Sequence, residues 1–310
     1  MHIHQHLRLP SRMNRLHTLP EELLDLILRE ALVLPSSVFL RSSEGRAQRP
    51  RPPPVRASDV LLVCKAWARV GRRHLYEGII LRRKRQAKAL TNTLLADRRR
   101  THRSRTTLGE HIRRLRIENV QCRAVVDVLR LATNMEDLYI SLAVPPFARP
   151  VNWLAGFRCV SPRRLYLQDT QVAYANNDRL LNAIEDALTT TPDKRACWNT
   201  LEEVHMRSMD FSIMPGLGSA LSVLPRLRLI TASDVWYAQW WKAFIPIVAN
   251  NERLQAVLLD CGPGLFESSV LQGRAEEITR FECYDLKMDA VRKFEPGAVR
   301  VNRTSAITSE

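Results

Sequence analysis

The sequence predicts an α/β chain, with a small helical unit at the N-terminus followed by an irregular solenoid of strand–helix repeats with a curved parallel sheet. Three observations lead there. The pattern apolar-x-x-apolar-x-apolar recurs along the last two thirds of the 310 residues. Stretches with apolar residues at helical spacing lie between those patterns. Before them come two amphipathic stretches separated by a segment rich in Pro, Ser and Arg.

Residues 1–15 read as a flexible tail. His2, His4 and His6 alternate there, a pattern that can hold a stray ion but reads more simply as solvated. Thr18-Leu19-Pro20-Glu21 reads as a helix start, with Thr18 and Glu21 as a capping box and Pro20 in the first turn, where its missing N–H is harmless. Leu19, Leu23, Leu26 and Ile27 follow at helical spacing, Leu24 widens the stripe, and the helix ends before Pro35. Residues 36–57, with three consecutive prolines at 52–54, have little to bury and read as an inserted, mobile loop. A second helix starting at Ser58 or Asp59 places Val63, Ala66, Trp67 and Val70 on one face. After Gly71, Leu75 and Tyr76 mark a short third helix, which completes a helical domain over 16–78. Ile79-Ile80-Leu81 then reads as a strand.

The repeats occupy 79–290, and 291–310 read as a C-terminal tail. Their pattern is carried by Ile112/Leu115/Ile117, Met135/Leu138/Ile140, Leu201/Val204/Met206, Leu224/Leu227/Leu229, Leu254/Val257/Leu259 and Ile278/Phe281/Cys283. Pro162/Leu165/Leu167 fits with one substitution. Successive central residues are 23, 27, 39, 23, 30 and 24 positions apart, and the 39 implies an insertion. Helices are predicted at Ala87/Leu90/Leu94, Val125/Val128/Leu129/Ala132, Leu180/Leu181/Ile184/Ala187/Leu188 and Trp236/Trp240/Phe244/Val248. A short strand followed by a helix, many times over, gives a parallel sheet curled into a solenoid. The competing reading is a compact α/β domain with coincidental spacing.

Composition excludes several classes. Apolar residues are 45%, charged residues 25% and glycines only 11, so the chain is neither globally disordered nor collagenous. No apolar run approaches the ~18 residues of a membrane span, and no signal peptide is recognisable, so neither membrane insertion nor secretion is expected. The six cysteines, Cys64, Cys122, Cys159, Cys197, Cys261 and Cys283, include no close pair of the zinc-binding kind. They read as reduced thiols in the core of an intracellular protein, cytoplasmic, nuclear or both. No phosphate-binding loop, nucleophile elbow or His-Glu-x-x-His is present, so the chain reads as non-enzymatic, with no catalytic residue, cofactor or metal assigned.

The net charge of +15 is concentrated. Residues 41–114 hold 21 Lys/Arg against 5 Asp/Glu, whereas residues 115–310 hold 22 against 23. The densest runs are 82–85 and 98–105, the second predicted to lie in a loop. They have no interleaved aromatics, so base stacking is not expected. They read first as solvated charge, with nuclear import or nonspecific contact with acidic groups, phosphate backbones among them, as alternatives.

LHTLPEELLDLIL over 16–28 and SDVLLVCKAWARVGRRHLYEG over 58–78 together resemble the two halves of an F-box. The repeats downstream are similar, more loosely, to the leucine-rich region of fungal F-box domain-containing proteins. The insertion of more than 20 residues between the halves departs from the family pattern, and so does the absence of the asparagine that closes the turn of regular leucine-rich repeats. The resemblance implies a Skp-type adaptor as partner and, through it, a cullin–RING ubiquitin ligase, with the repeats selecting a target protein. By motif match the adaptor-binding residues are Leu19, Pro20, Leu23, Leu24, Ile27, Val63, Cys64, Lys65 and Trp67. Physics is consistent with that role: a short helical unit with leucines on nearly half of one helix has more apolar surface than its own core needs. The alternative is that these helices only cap the solenoid. A different class of function, a repeat scaffold or nucleic-acid-associated protein using 41–114 as a basic clamp, stays open.

In parallel strands, equivalent residues become neighbours and side chains alternate faces. One column reads Arg114, Asp137, Arg164, Glu203, Arg226. Its alternating signs make it self-neutralised and a poor phosphate track, so nucleic acid is not expected as the partner. The next reads Arg116, Tyr139, Tyr166, His205, Arg228. Aromatics flanked by arginines suit a protein-binding hot spot, and this column is the expected target site. The plain alternative is a solvated face with incidental tyrosines.

Overall fold

A computed structural model describes residues 19–41, 57–100, 106–143, 150–168, 177–189, 197–209, 214–233, 244, 247–259 and 281–283. The N-terminal unit consists of α1 (Glu21–Leu32), a short α2 (Ser36–Leu40), a 3-10 helix (Ala57–Leu62) and α3 (Lys65–Glu77). Leu24, Leu28 and Leu32 recur every fourth residue on α1 and pack with Val70 of α3, flanked by Val60, Leu61 and Trp67.

Several boundaries differ from the sequence reading. The N-cap of α1 is Pro20, without a side-chain cap; Thr18 lies outside the described residues, and the Glu21 carboxylate accepts from Arg69 on α3 instead. The predicted second and third helices divide elsewhere: the break falls at Val63–Cys64, and α3 runs straight through Gly71. Gly71 ends nothing. It is buried where α1 and α3 approach, and a Cβ there would come within 2.5 Å of a Leu61 methyl and 2.9 Å of a Leu32 methyl. The inserted segment is not simply a loop either. Its first residues form α2, and Phe39 is buried.

β1 (Gly78–Leu81) follows α3 directly and is the first strand of an eight-stranded sheet. The others are β2 (Arg114–Ile117), β3 (Asp137–Ser141), β4 (Arg164–Gln168), β5 (Glu203–Arg207), β6 (Leu229–Ser233), β7 (Ala256–Leu259) and β8 (Phe281–Cys283). They pair in sequence order and all in parallel. Between them run α4 (Lys84–Arg100), α5 (Arg123–Leu131), α6 (Leu154–Phe157), α7 (Asn177–Leu188) and α8 (Met214–Ser222). Leu115, Leu138, Leu165, Val204, Ile230 and Val257 are register partners and form the central column of the core. Apolar stripes of the helices, such as Ala87/Leu90/Leu94 and Val125/Val128/Leu129, pack onto that column. Trp198 is fully buried among them and donates its indole N–H to the Phe157 carbonyl at 3.1 Å.

The sixth repeat is shifted by three residues from its predicted register. Ile230, not Leu227, pairs with Val204, so the steps around it become 26 and 27. Leu224/Leu227/Leu229 is the more apolar match, but β-branched Ile230 and Thr231 suit a strand better, and Ala232 hides the true pattern. The long step of 39 accommodates α7. The turn-closing asparagine is absent, yet Asn251 is buried and donates to the carbonyls of Leu221 and Leu224 in the preceding repeat. The predicted helix at 236–248 lies mostly outside the described residues, with Phe244 and Val248 buried. Arg98–Arg100, expected in a loop, form the last turn of α4, where the helix dipole favours cations.

Cys64, Cys122, Cys159 and Cys197 are free thiols; none is fully buried, although Cys122 and Cys197 pack against the core. Cys159 is exposed and Cys64, Cys122 and Cys197 are half-buried. Cys64 and Cys122 are N-caps of α3 and α5, and helix ends sit near the surface. Among the described residues no helix is long and apolar enough to cross a membrane.

Candidate functional site

Two faces of the molecule carry the residues singled out from the sequence. The first is the outer side of the helical unit. With Leu24, Leu28 and Leu32 turned inward, Leu23, Leu26 and Ile27 of α1 face solvent, and so do Leu62 and Val63 at the end of the 3-10 helix; these five residues are 48–81% exposed. Pro20 and Lys65 are also exposed, and Leu19 is half-buried.

Leu24 does not belong to this face. It lies four residues before Leu28 on the inward stripe and serves the core. Trp67 packs against that same core, and Cys64 is half-buried at the helix cap. Leu26 and Leu62 belong to the face although the motif match omits them. The helical spacing of Leu26 was the available signal.

Polar contacts lock α1 against α3 beneath this surface. Arg69 forks onto Glu21 with bonds of 3.0 and 2.6 Å. Asp25 accepts from Arg73 at 3.1 Å and lies 2.5 Å from Nε2 of the buried His74. Hydrogen bonds from Arg73 and His74 hold the Asp25 carboxyl below the usual carboxylate range.

The second face is the side of the sheet away from α4–α8. Arg116, Tyr139, Tyr166 and His205 are register partners on β2 to β5, as expected. They form one stack. The Arg116 guanidinium lies 4.0 Å from the Tyr139 ring centroid. The two tyrosine rings are stacked at 6.3 Å, and Tyr166 and His205 are stacked nearly parallel at 4.4 Å. His205 is pinned by Thr231 on one ring nitrogen at 2.6 Å and by Glu203 on the other at 3.3 Å. The bond from His205 holds Glu203 below its usual range, while burial pushes the Tyr166 phenol up.

Arg228 is not in this column. The register shift puts Thr231 beside His205 and moves Arg228 to the residue just before β6. There it belongs to a row the sequence reading missed. The backbone N–H groups of Glu136, Arg163, Glu202 and Arg228 each donate to the preceding member of Arg113, Glu136, Arg163, Glu202. The side chains pair along the row: Arg113 with Glu136 at 3.0 Å, Arg163 with Glu202 at 2.8 Å, and Arg228 with Glu202 at 3.6 Å. The adjacent row, Arg114, Asp137, Arg164, Glu203, ends in Leu229 rather than Arg226. Its Arg164 forks onto Asp137 at 2.6 and 3.0 Å.

The face is also only partly open. α2 lies across its first strands: Arg114 donates to the Ser36 hydroxyl and the Leu34 carbonyl, and Arg116 to the Phe39 carbonyl. Arg116 is fully buried and ion-pairs with Glu118, which also accepts from Arg82 at 2.6 Å; the Arg116–Glu118 contact lacks hydrogen-bond angles. Tyr139 is buried as well, with its hydroxyl on Gln168. The accessible part therefore runs from Tyr166 through His205 to Thr231, all half-buried. It offers ring edges and neutralised charge, which suits a protein surface better than a phosphate chain. No protein-family model and no curated protein matches the chain.

Proposed function

We propose that this chain is the non-enzymatic target-recognition subunit of a Skp–cullin–F-box type ubiquitin ligase. The helical unit binds a Skp-type adaptor, and the open part of the sheet face, from Tyr166 to Thr231, holds a target protein. The downstream array is then a leucine-rich-repeat-like solenoid. One observation carries the reading: Leu23, Leu26, Ile27, Leu62 and Val63 stand in water beside a small core that uses other leucines. Covering side chains of this size stabilises a complex by about 1.5–3 kcal/mol each when burial is complete. The capping alternative fits less well. A cap turns its apolar side toward the repeats and its polar side outward, and here α1 keeps leucines outward.

The test is co-purification of the full chain with a Skp-type adaptor. Wild type should form a stoichiometric complex, and Leu23→Asp with Ile27→Asp should abolish it while leaving the unfolding transition in place, because both side chains are already exposed. An adaptor that fails to bind wild type, or binds the double variant equally well, rules the assignment out.

A further inference from the structure

On the sheet face the charges are paired off. α4 packs on the other side of the sheet, through Ala87, Leu90 and Leu94. Six of its 17 residues are Lys or Arg, namely Lys84, Arg85, Lys88, Arg98, Arg99 and Arg100, and all six are exposed. Its single acid, Asp97, is occupied by the backbone N–H of Leu108 at 2.8 Å. Arg69 and Arg163, also exposed, each have a carboxylate partner, Glu21 and Glu202. Among the described residues no ion pair involves the α4 cations.

The helix dipole favours Arg98–Arg100 in the last turn but does not account for the cations at the other end. Lys84 and Arg85 stand in the first turn, which carries no acid and where the dipole disfavours cations. Arg85, Lys88, Asn92, Ala96 and Arg99 recur at helical spacing opposite the buried stripe. The cations fall into two groups, 84–88 and 98–100, about 20 Å apart along the axis. Ala89, Asn92, Thr93 and Ala96, small and uncharged, lie between them.

Two cationic groups with a neutral waist match a rigid polyanion with charge on both sides of a gap. A duplex has that form, with phosphates flanking a major groove about 12 Å wide. Guanidinium forks suit phosphate oxygens. A membrane fits less well, because the apolar stripe of α4 is committed to the core and its outer face has no aromatic to insert. A single strand would need stacking rings, which α4 lacks.

We propose that the outer face of α4 binds the phosphate backbone of double-stranded nucleic acid without reading its sequence. The probe is a labelled 20-base-pair DNA duplex of arbitrary sequence, titrated with the full chain by fluorescence anisotropy between 50 and 200 mM salt. Binding in about the micromolar range is expected at the low end, falling steeply with salt. Arg85→Gln with Lys88→Gln and Arg99→Gln should weaken it at least tenfold at 50 mM and reduce the salt slope by about 3. Arg85→Lys with Arg99→Lys should keep the slope. An unchanged circular dichroism melt shows that each variant folds; if the triple variant does not, Arg99→Gln alone should reduce the slope by about 1. The proposal fails if wild type does not bind duplex at 50 mM, or if the folded variants bind as wild type does. Equal binding of polyglutamate or anionic vesicles also overturns it, in favour of an acidic protein or a lipid surface.

Discussion

The Phe39 ring lies over the Arg114 guanidinium, 5.4 Å from ring centroid to the central carbon. The contact joins a segment between the two halves of the helical unit to the second strand of the sheet. It is reinforced by the bonds of Arg114 to Ser36 and Leu34 and of Arg116 to the Phe39 carbonyl. A desolvated cation–π contact contributes up to about 2 kcal/mol. α2 therefore ties the helical unit to the repeats and covers one end of the candidate target face.

Phe39→Ala should destabilise the protein by about 3–5 kcal/mol, since it empties a fully packed aromatic site. Deletion of residues 38–55, inside the segment that reads from sequence as an inserted loop, should cost at least as much because it removes the same ring. Urea denaturation of the full chain measures both. An unshifted midpoint for the deletion would mean that α2 holds nothing.

Arg116 and Glu118 form a buried ion pair, so removing one partner should be worse than removing both. Glu118→Ala leaves the Arg116 charge buried and should cost about 3–5 kcal/mol. Arg116→Met with Glu118→Leu removes the uncompensated charge and should recover most of that loss. A double variant no more stable than Glu118→Ala would show that packing, not charge, dominates this site.

Asp25 sets a pH dependence of known sign. Its folded pKa lies below the ordinary value of 3.8 because Arg73 and His74 bond the ionised form. Its stabilising contribution is complete above that value and is lost as pH falls through the folded pKa. Thermal melts at pH 5 down to pH 2 should fall more steeply for wild type than for Asp25→Asn. Parallel curves would remove Asp25 from the account.

Tyr139 and Tyr166 do not make equivalent tests of the target face. Tyr139 is buried against Arg116, so its truncation acts on folding. Tyr166→Ala with His205→Ala acts on the open part of the stack and should reduce target capture at least tenfold while adaptor binding holds. Proximity labelling in cells, with wild type and variant compared protein by protein, reads the first, and co-purification the second. Equal loss of both would indicate unfolding.

Much of this architecture was legible in the chain because it follows from local periodicity. Leucines at strand spacing announce buried strands, and equal spacing announces parallel neighbours; Tyr139 beside Tyr166 could be read before any coordinates. The same logic fails where two apolar ladders overlap. Leu224/Leu227/Leu229 outscores Leu227/Ile230/Ala232, and only backbone pairing with Val204 decides between them. Leu23 and Leu24 are chemically identical and adjacent; which one is core depends on where α3 lies, a long-range fact. Phe39 is the plainest case. One aromatic residue in a polar segment has no period to reveal it, and its burial depends on two arginines more than seventy positions away. Composition and spacing determined the class of fold and the order of its strands. The closed end of the sheet face and the exact register were decided by contacts between segments distant in sequence, where burial and charge pairing are settled only once the chain has folded.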